Sequence, residues 1–139
     1  MRVLVLCTGN SCRSQMAEGI LKKIKPEWEV FSAGTEPASA VSRRAISVML
    51  EAGIDISRNT PKSVDRFLSQ SFDHVITVCD HANETCPVFL GKVKHRLHIG
   101  FEDPSNAIGT DDFIWGEFRR VRDDIKKQFY KFYSENLKN

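Results

Sequence analysis

Apolar and polar positions along this chain fall into short blocks that predict a series of strands and helices. Val3-Leu4-Val5-Leu6 is an aliphatic run of the kind buried in a sheet, and Met16, Ile20 and Ile24 then recur at helical spacing. The residues between them, from Cys7 to Ser14, are therefore a strand-to-helix turn. Pro26 and Glu27 break the pattern, 28–32 alternates as a second strand ending at Ala33-Gly34, and 35–40 reads as a loop. Ser42 can cap a helix whose apolar face is Ala45, Ile46, Met49 and Leu50, with Gly53 placed to close it in a left-handed conformation. An extended link at 54–57 is followed by Thr60-Pro61, which can start another helix over 63–68. Residues 74–78 and 94–99 read as the third and fourth strands, and from about Asp112 a long helix carries Ile114, Phe118, Val121, Ile125, Phe129 and Phe132 on one face. Strands alternating with helices predict an α/β fold with a doubly wound parallel sheet.

Composition narrows the class. With 139 residues, 41% hydrophobic and 27% charged, the chain reads as one soluble domain, 1–139. A formal charge of +2 argues against a nucleic-acid partner, and no apolar run approaches a bilayer span. The N-terminus enters a strand without a signal-peptide pattern, so a cytoplasmic location is expected. Four cysteines in a reducing compartment point to catalytic or redox work rather than structural disulfides. Zinc fits poorly, because Cys7, Cys12, Cys79 and Cys86 lack a close paired knuckle; His95 and His98 read as half-exposed sheet residues. No metal is expected.

The turn Cys7-Thr8-Gly9-Asn10-Ser11-Cys12-Arg13-Ser14 sits over a helix N-terminus, where unpartnered N–H groups and the macrodipole suit a tetrahedral oxyanion. Gly9 lets the backbone wrap closely and Asn10 tolerates left-handed dihedrals, so the N–H groups of Thr8, Gly9, Asn10, Ser11 and Cys12 can turn inward. Arg13 adds a planar fork for two anion oxygens. The same field favours the thiolate of Cys7, a nucleophile aimed at the bound anion, and Ser14 is placed to donate a hydrogen bond to it or to receive a leaving group. In the plainer reading, Cys7 is a buried strand-end residue and Arg13 a surface charge. Cys12 reads as packing within the loop, with a protective Cys7–Cys12 disulfide as the alternative under oxidation.

Cys79 follows the third strand as Cys7 follows the first, and if those strands are neighbours the two thiols converge at the sheet's C-terminal edge. Cys86 lies seven residues further on. A helix between them would hold their Cα atoms about 10 Å apart, against roughly 4.4–6.8 Å for a disulfide, so bonding would require the short polar segment 80–85 to unwind. Asp103, in Phe101-Glu102-Asp103-Pro104, follows the fourth strand; beside a thiolate and an oxyanion its carboxyl should hold a proton that it can pass to a departing oxygen.

The loop from Cys7 to Ser14 resembles the phosphate loop of the low-molecular-weight protein tyrosine phosphatase superfamily, and Gln15-Met16-Ala17-Glu18-Gly19 resembles its arsenate reductase branch. Cys79-Asp80-His81-Ala82-Asn83-Glu84-Thr85-Cys86-Pro87 is similar to the thioredoxin-coupled arsenate reductases. The resemblance runs from Arg2 to the last helix and implies a three-layer single α/β domain: a four-stranded parallel sheet flanked by helices, first and third strands adjacent. It implies that arsenate, or phosphate or sulfate, occupies the loop, that Cys7 attacks, that Cys79 then attacks Cys7 to release arsenite, and that Cys86 resolves the disulfide. The redox-active disulfide Cys79–Cys86 would pass to thioredoxin, the general acid would be Asp103 and no cofactor would be needed. Apart from the resemblance, a monomer is expected, although the sequence itself does not decide the oligomeric state. A low-molecular-weight protein tyrosine phosphatase working through a phosphocysteine is the alternative, although Ser105, Asn106 and Ala107 stand where phosphatases carry an aromatic wall. An anion-binding or redox-sensing module without turnover is a third. Some reductases hold potassium through groups matching Asn10, Glu18, Ser32 and Thr60 and an acidic residue two positions later; Lys62 stands there instead, so no potassium requirement is expected.

Overall fold

The computed structural model describes residues 1–136. Four parallel strands, β1 (Arg2–Cys7), β2 (Glu29–Gly34), β3 (Phe72–Thr77) and β4 (Val93–His98), form one sheet in the order β2-β1-β3-β4. The connections are α1 (Arg13–Ile24), α2 (Arg43–Glu51) with a single 3-10 turn at Val64–Phe67, and α3 (Asp80–Thr85). A second 3-10 turn (Pro104–Asn106) leads into α4 (Asp111–Glu135). The fold is a single α/β domain with helices flanking the sheet. Among the described residues no helix is long and apolar enough to cross a membrane.

Central position explains the first strand's composition. β1 is paired on both sides, and Val3, Leu4, Val5 and Leu6 are fully buried, as an uninterrupted aliphatic run requires. β4 lies at the edge and is mostly exposed. α4 packs across α1 and α2 through Phe118, Val121, Ile125, Phe129 and Phe132, with Ile114 only partly buried. Its start is capped by Thr110, whose hydroxyl accepts from the Phe113 N–H at 3.2 Å, and Asp111 and Asp112 in the first turn complement the macrodipole.

Several boundaries differ from the sequence reading. α1 begins at Arg13, inside the predicted turn. In α2 the buried positions are Ala45, Val48 and Met49, whereas Leu50 is 62% exposed. Successive helical residues are about 100° apart, so a face centred on Ala45 and Met49 takes in Val48 and turns Leu50 outward. Ser42 caps this helix by accepting from the Ala45 N–H, and Gly53 closes it at φ +79° with N–H bonds from Gly53 to Leu50 O and from Ile54 to Met49 O. The predicted helix over 63–68 is only the turn Val64–Phe67, whose two buried ends are three residues apart. The third and fourth strands end at Thr77 and His98, each one residue earlier than the pattern suggests.

Because the winding leaves β1 toward β2 and returns on the other side to β3, a crevice opens beyond the C-terminal ends of β1 and β3. Val78 N–H donates to Leu6 O at 2.9 Å, which brings the residues after the two strands side by side.

Candidate active site

The loop after β1 is held from outside through its carbonyls. Cys7 O accepts from Thr35 N–H, Thr8 O from Glu36 N–H, Gly9 O from Ala38 N–H, Ser11 O from Ser42 N–H and Cys12 O from Met16 N–H, at 2.7–3.2 Å. With the carbonyls committed outward, the N–H groups are the backbone atoms left to face an anion. Asn10 takes the left-handed conformation at φ +51°, which turns its N–H onto Cys7 Sγ at 3.2 Å.

Asn10 is also the hub of the buried polar network beneath the loop. Its Nδ2 donates to Ser14 Oγ at 2.8 Å and Ser32 Oγ at 2.9 Å, and its Oδ1 accepts from Lys62 N–H at 2.9 Å and Gln15 Nε2 at 3.1 Å. Ser32 in turn donates to Glu18 Oε1 at 2.7 Å, and Lys22 pairs with the other oxygen of Glu18. Since Ser14 Oγ already accepts from Asn10, its own proton is free to point at Cys7 Sγ, 2.9 Å away. Two donors therefore converge on this buried sulfur. The Lys62 ammonium donates to Thr60 O at 3.1 Å; burial pushes it below its ordinary range, with Glu18 opposing. A cationic charge already stands on Thr60 O and within reach of Glu18, two of the groups that would hold potassium, so the residues present do not fit a potassium site.

Arg13 and Asp103 meet at the mouth of the loop. The guanidinium donates to Phe101 O at 3.0 Å and lies 3.5 Å from Asp103 Oδ2, while Asp103 Oδ1 caps the Pro104–Asn106 turn by accepting from Ser105 N–H. Cys12 is buried behind the loop, where burial first, then Asp103 and Cys7, keep its thiol protonated well above the ordinary range.

Cys79, also buried, lies with its sulfur 3.3 Å from Thr8 Oγ1. Cys86 stands across α3, half-buried, and burial raises its thiol above the ordinary value while Arg96 opposes the rise. All four cysteines are free. Of the residues singled out from the sequence, Cys7, Ser14, the loop residues Thr8 to Cys12, Arg13, Asp103 and Cys79 are brought to one edge of the sheet, and Cys86 is set apart at the far end of α3. Sequence reasoning missed the contacts that fix α3: His98 bridges Asp80 Oδ1 at 3.0 Å and Thr77 Oγ1 at 2.8 Å, and His81 lies 3.8 Å from Glu36. Only β3–β4 pairing and the packing of the 35–38 segment make these neighbours, so no local signal announces them.

Known proteins resemble this chain in sequence and in fold. The sequence profile of the low molecular weight phosphotyrosine protein phosphatase family matches residues 2–139. The arsenate reductase of Halalkalibacterium halodurans is 50% identical over 131 residues, 94% of this chain and 93% of the relative. That of Bacillus subtilis is 45% identical with the same coverage. A solved arsenate reductase in its phosphate-binding state superposes with a TM-score of 0.81 at 31% identity, covering 96% of this chain and 97% of the other. Vibrio vulnificus Wzb in complex with benzylphosphonate, at 20% identity and a TM-score of 0.78 over 96% of this chain and 97% of that one, shares the fold. Profile match, sequence identity and overall superposition agree, and the chain belongs to the low molecular weight phosphotyrosine protein phosphatase family.

Proposed function

We propose that this chain reduces arsenate to arsenite by a relay through Cys7, Cys79 and Cys86, with thioredoxin reducing the disulfide that remains. The observation that carries the reading is the Cys79 sulfur 3.3 Å from the Thr8 hydroxyl: a second buried thiol lies against the loop of the nucleophile, and ester hydrolysis has no use for it. The similarity to arsenate reductases over 94% of the chain supports the same reading.

The steps follow from thiol chemistry. Cys7 attacks arsenate held by the loop N–H groups and Arg13, with Ser14 hydrogen-bonded to the sulfur. Asp103 delivers a proton to the oxygen leaving as water. Cys79 attacks Cys7 Sγ; the electrons of the sulfur–arsenic bond pass to arsenic, arsenite departs, and a Cys7–Cys79 disulfide remains. Cys86 then displaces Cys7 from Cys79, and thioredoxin reduces Cys79–Cys86. The last exchange needs α3 to unwind, because its helical rise separates the two cysteines by about 10 Å. We place the chain in the cytoplasm, where a reducing pool keeps the thiols free, as a monomer of one domain. Lys62 supplies the positive charge beside the loop, so exchanging potassium for sodium should leave turnover unchanged.

Hydrolysis of a phosphate monoester through a phosphocysteine is the second reading, favoured by the Arg13–Asp103 contact, which assembles clamp and acid without the later thiols. The test is NADPH consumption with arsenate, thioredoxin and thioredoxin reductase, beside Cys79→Ser and Cys86→Ser. Sustained consumption by the parent alone supports the relay. No consumption by the parent, with aryl phosphate hydrolysis intact in both variants, establishes the hydrolase.

A further inference from the structure

α3 packs on β1 and β3, and β4 lies alongside, where register sets Arg96 beside Val75 and His98 beside Thr77. A cavity of about 350 Å³ beneath the helix is lined by Asn83, Cys86, Arg96 and His98, among others. β4 touches α3 at both ends: His98 holds Asp80 in the first turn, and Arg96 Nη1 approaches Cys86 Sγ at 3.8 Å at the C-cap. The guanidinium is itself seated over the ring of buried Phe89, 5.5 Å from its centroid, and Phe89 packs edge-on against Phe72. Arg96 is thus braced by the core through a contact that does not depend on α3 remaining helical.

We propose that Arg96 is the positioning residue that activates Cys86 as the resolving thiol, by holding a guanidinium against its sulfur. Cys86 needs such help. Its half-buried setting disfavours a charged sulfur, and the carbonyl end of a helix, however short, adds partial negative charge. Yet only the thiolate attacks a disulfide. Among the charged groups around it, Asp80 and Glu84 on α3 are exposed acids, and His98, which lines the same cavity, is engaged by Asp80 and Thr77. Arg96 is the cation set against the sulfur, and it opposes the effect of burial.

The consequence for turnover rests on the relay proposed above. The Cys86 proton goes to solvent and its thiolate attacks the sulfur of Cys79. The Cys79–Cys86 bond forms as the Cys7–Cys79 bond breaks, and Cys7 leaves as a thiolate with no net change in electrons. Arg96 stays protonated throughout and lowers the cost of the first event only.

The test is the pH profile of iodoacetamide alkylation at Cys86, resolved from the other cysteines by peptide mass spectrometry, in the reduced full chain. Arg96→Gln should move the Cys86 profile up by about one pH unit, which slows alkylation about tenfold at pH 7. It should leave the profiles of Cys7 and Cys79 in place. Arg96→Lys should recover part of the shift, and thioredoxin-coupled turnover should fall several-fold in Arg96→Gln while aryl phosphate hydrolysis is unchanged. An identical Cys86 profile in Arg96→Gln and the parent overturns the assignment, as does Lys performing no better than Gln. If the profile shifts but the parent consumes no NADPH with arsenate, it is the relay that fails and the Arg96–Cys86 coupling stands.

Discussion

Replacing Asn10 by alanine tests whether the loop is held from beneath by one side chain. Alanine at φ +51° carries a strain of about 1–2 kcal/mol that asparagine largely avoids. It also deletes the four side-chain hydrogen bonds to Ser14, Ser32, Gln15 and Lys62 N–H, each contributing about 1 kcal/mol net in a site with little access to replacement water. The expected loss is about 5 kcal/mol, a large share of the ~5–15 kcal/mol that a domain of this kind has in total. With a urea dependence of about 2 kcal/mol per molar, the unfolding midpoint should fall by about 2.5 M. Asn10→Asp keeps the dihedral tolerance and both acceptor contacts, so it should lose less than half as much. It should still slow alkylation of Cys7, because Ser14 would turn its proton toward the new carboxylate and away from the sulfur. Urea unfolding followed by circular dichroism and iodoacetamide kinetics at Cys7 supply the two readouts. An alanine variant within 1 kcal/mol of the parent, or an aspartate variant as unstable as alanine, would refute the hub.

Four further outcomes are expected. In Gly34→Ala the new Cβ would lie 2.4 Å from Thr8 O, and two backbones cannot yield cheaply, so the loop should shift and aryl phosphate hydrolysis fall about a hundredfold or more. Val48→Ala should cost about 2 kcal/mol in a denaturant titration and Leu50→Gln under 0.5, since only Val48 is buried. Burial and neighbouring His95 hold the His74 imidazole below its ordinary range, so the unfolded chain takes up that proton first as pH falls. Stability should be full above about pH 6.5 and decline as pH drops through the lowered native value, and calorimetry of His74→Phe should show a flatter dependence in that window. His98→Ala removes the bridge to Asp80 and Thr77, and hydrogen exchange of the α3 amides should quicken about tenfold while β1 amides are unaffected.

Elements written in local pattern were legible from the sequence. β1, α1 and the loop between them follow from an aliphatic run, a helical period and a Cys-to-Arg spacing, and Gly53 announced its own left-handed cap. The phase of α2 was misread because Ile46, Val48, Met49 and Leu50 are all apolar, and packing against α4 selects among them. The site divides the same way. Residues carrying reactive groups stood out by type and position, whereas Thr8 against Cys79, Ser32 against Asn10 and Arg96 against Cys86 depend on strand order and register. Composition has no access to those. Neither does periodicity.

The two borders of the sheet are finished differently. Along β2, Gly34 N–H donates to Lys62 O at 2.8 Å and Gly34 bridges Ser63 in parallel, so the chain itself closes part of that border. β4 forms the opposite border and carries Lys94, His95, Arg96 and His98. The same edge of a second copy pairing there would bring Lys94 and Arg96 against their own counterparts. This is how a sheet deters strand addition without a covering segment. Such a guard is of particular use beside α3 under the relay proposed above, in which the helix opens at each turnover and an unguarded margin next to it would be left bare and sticky.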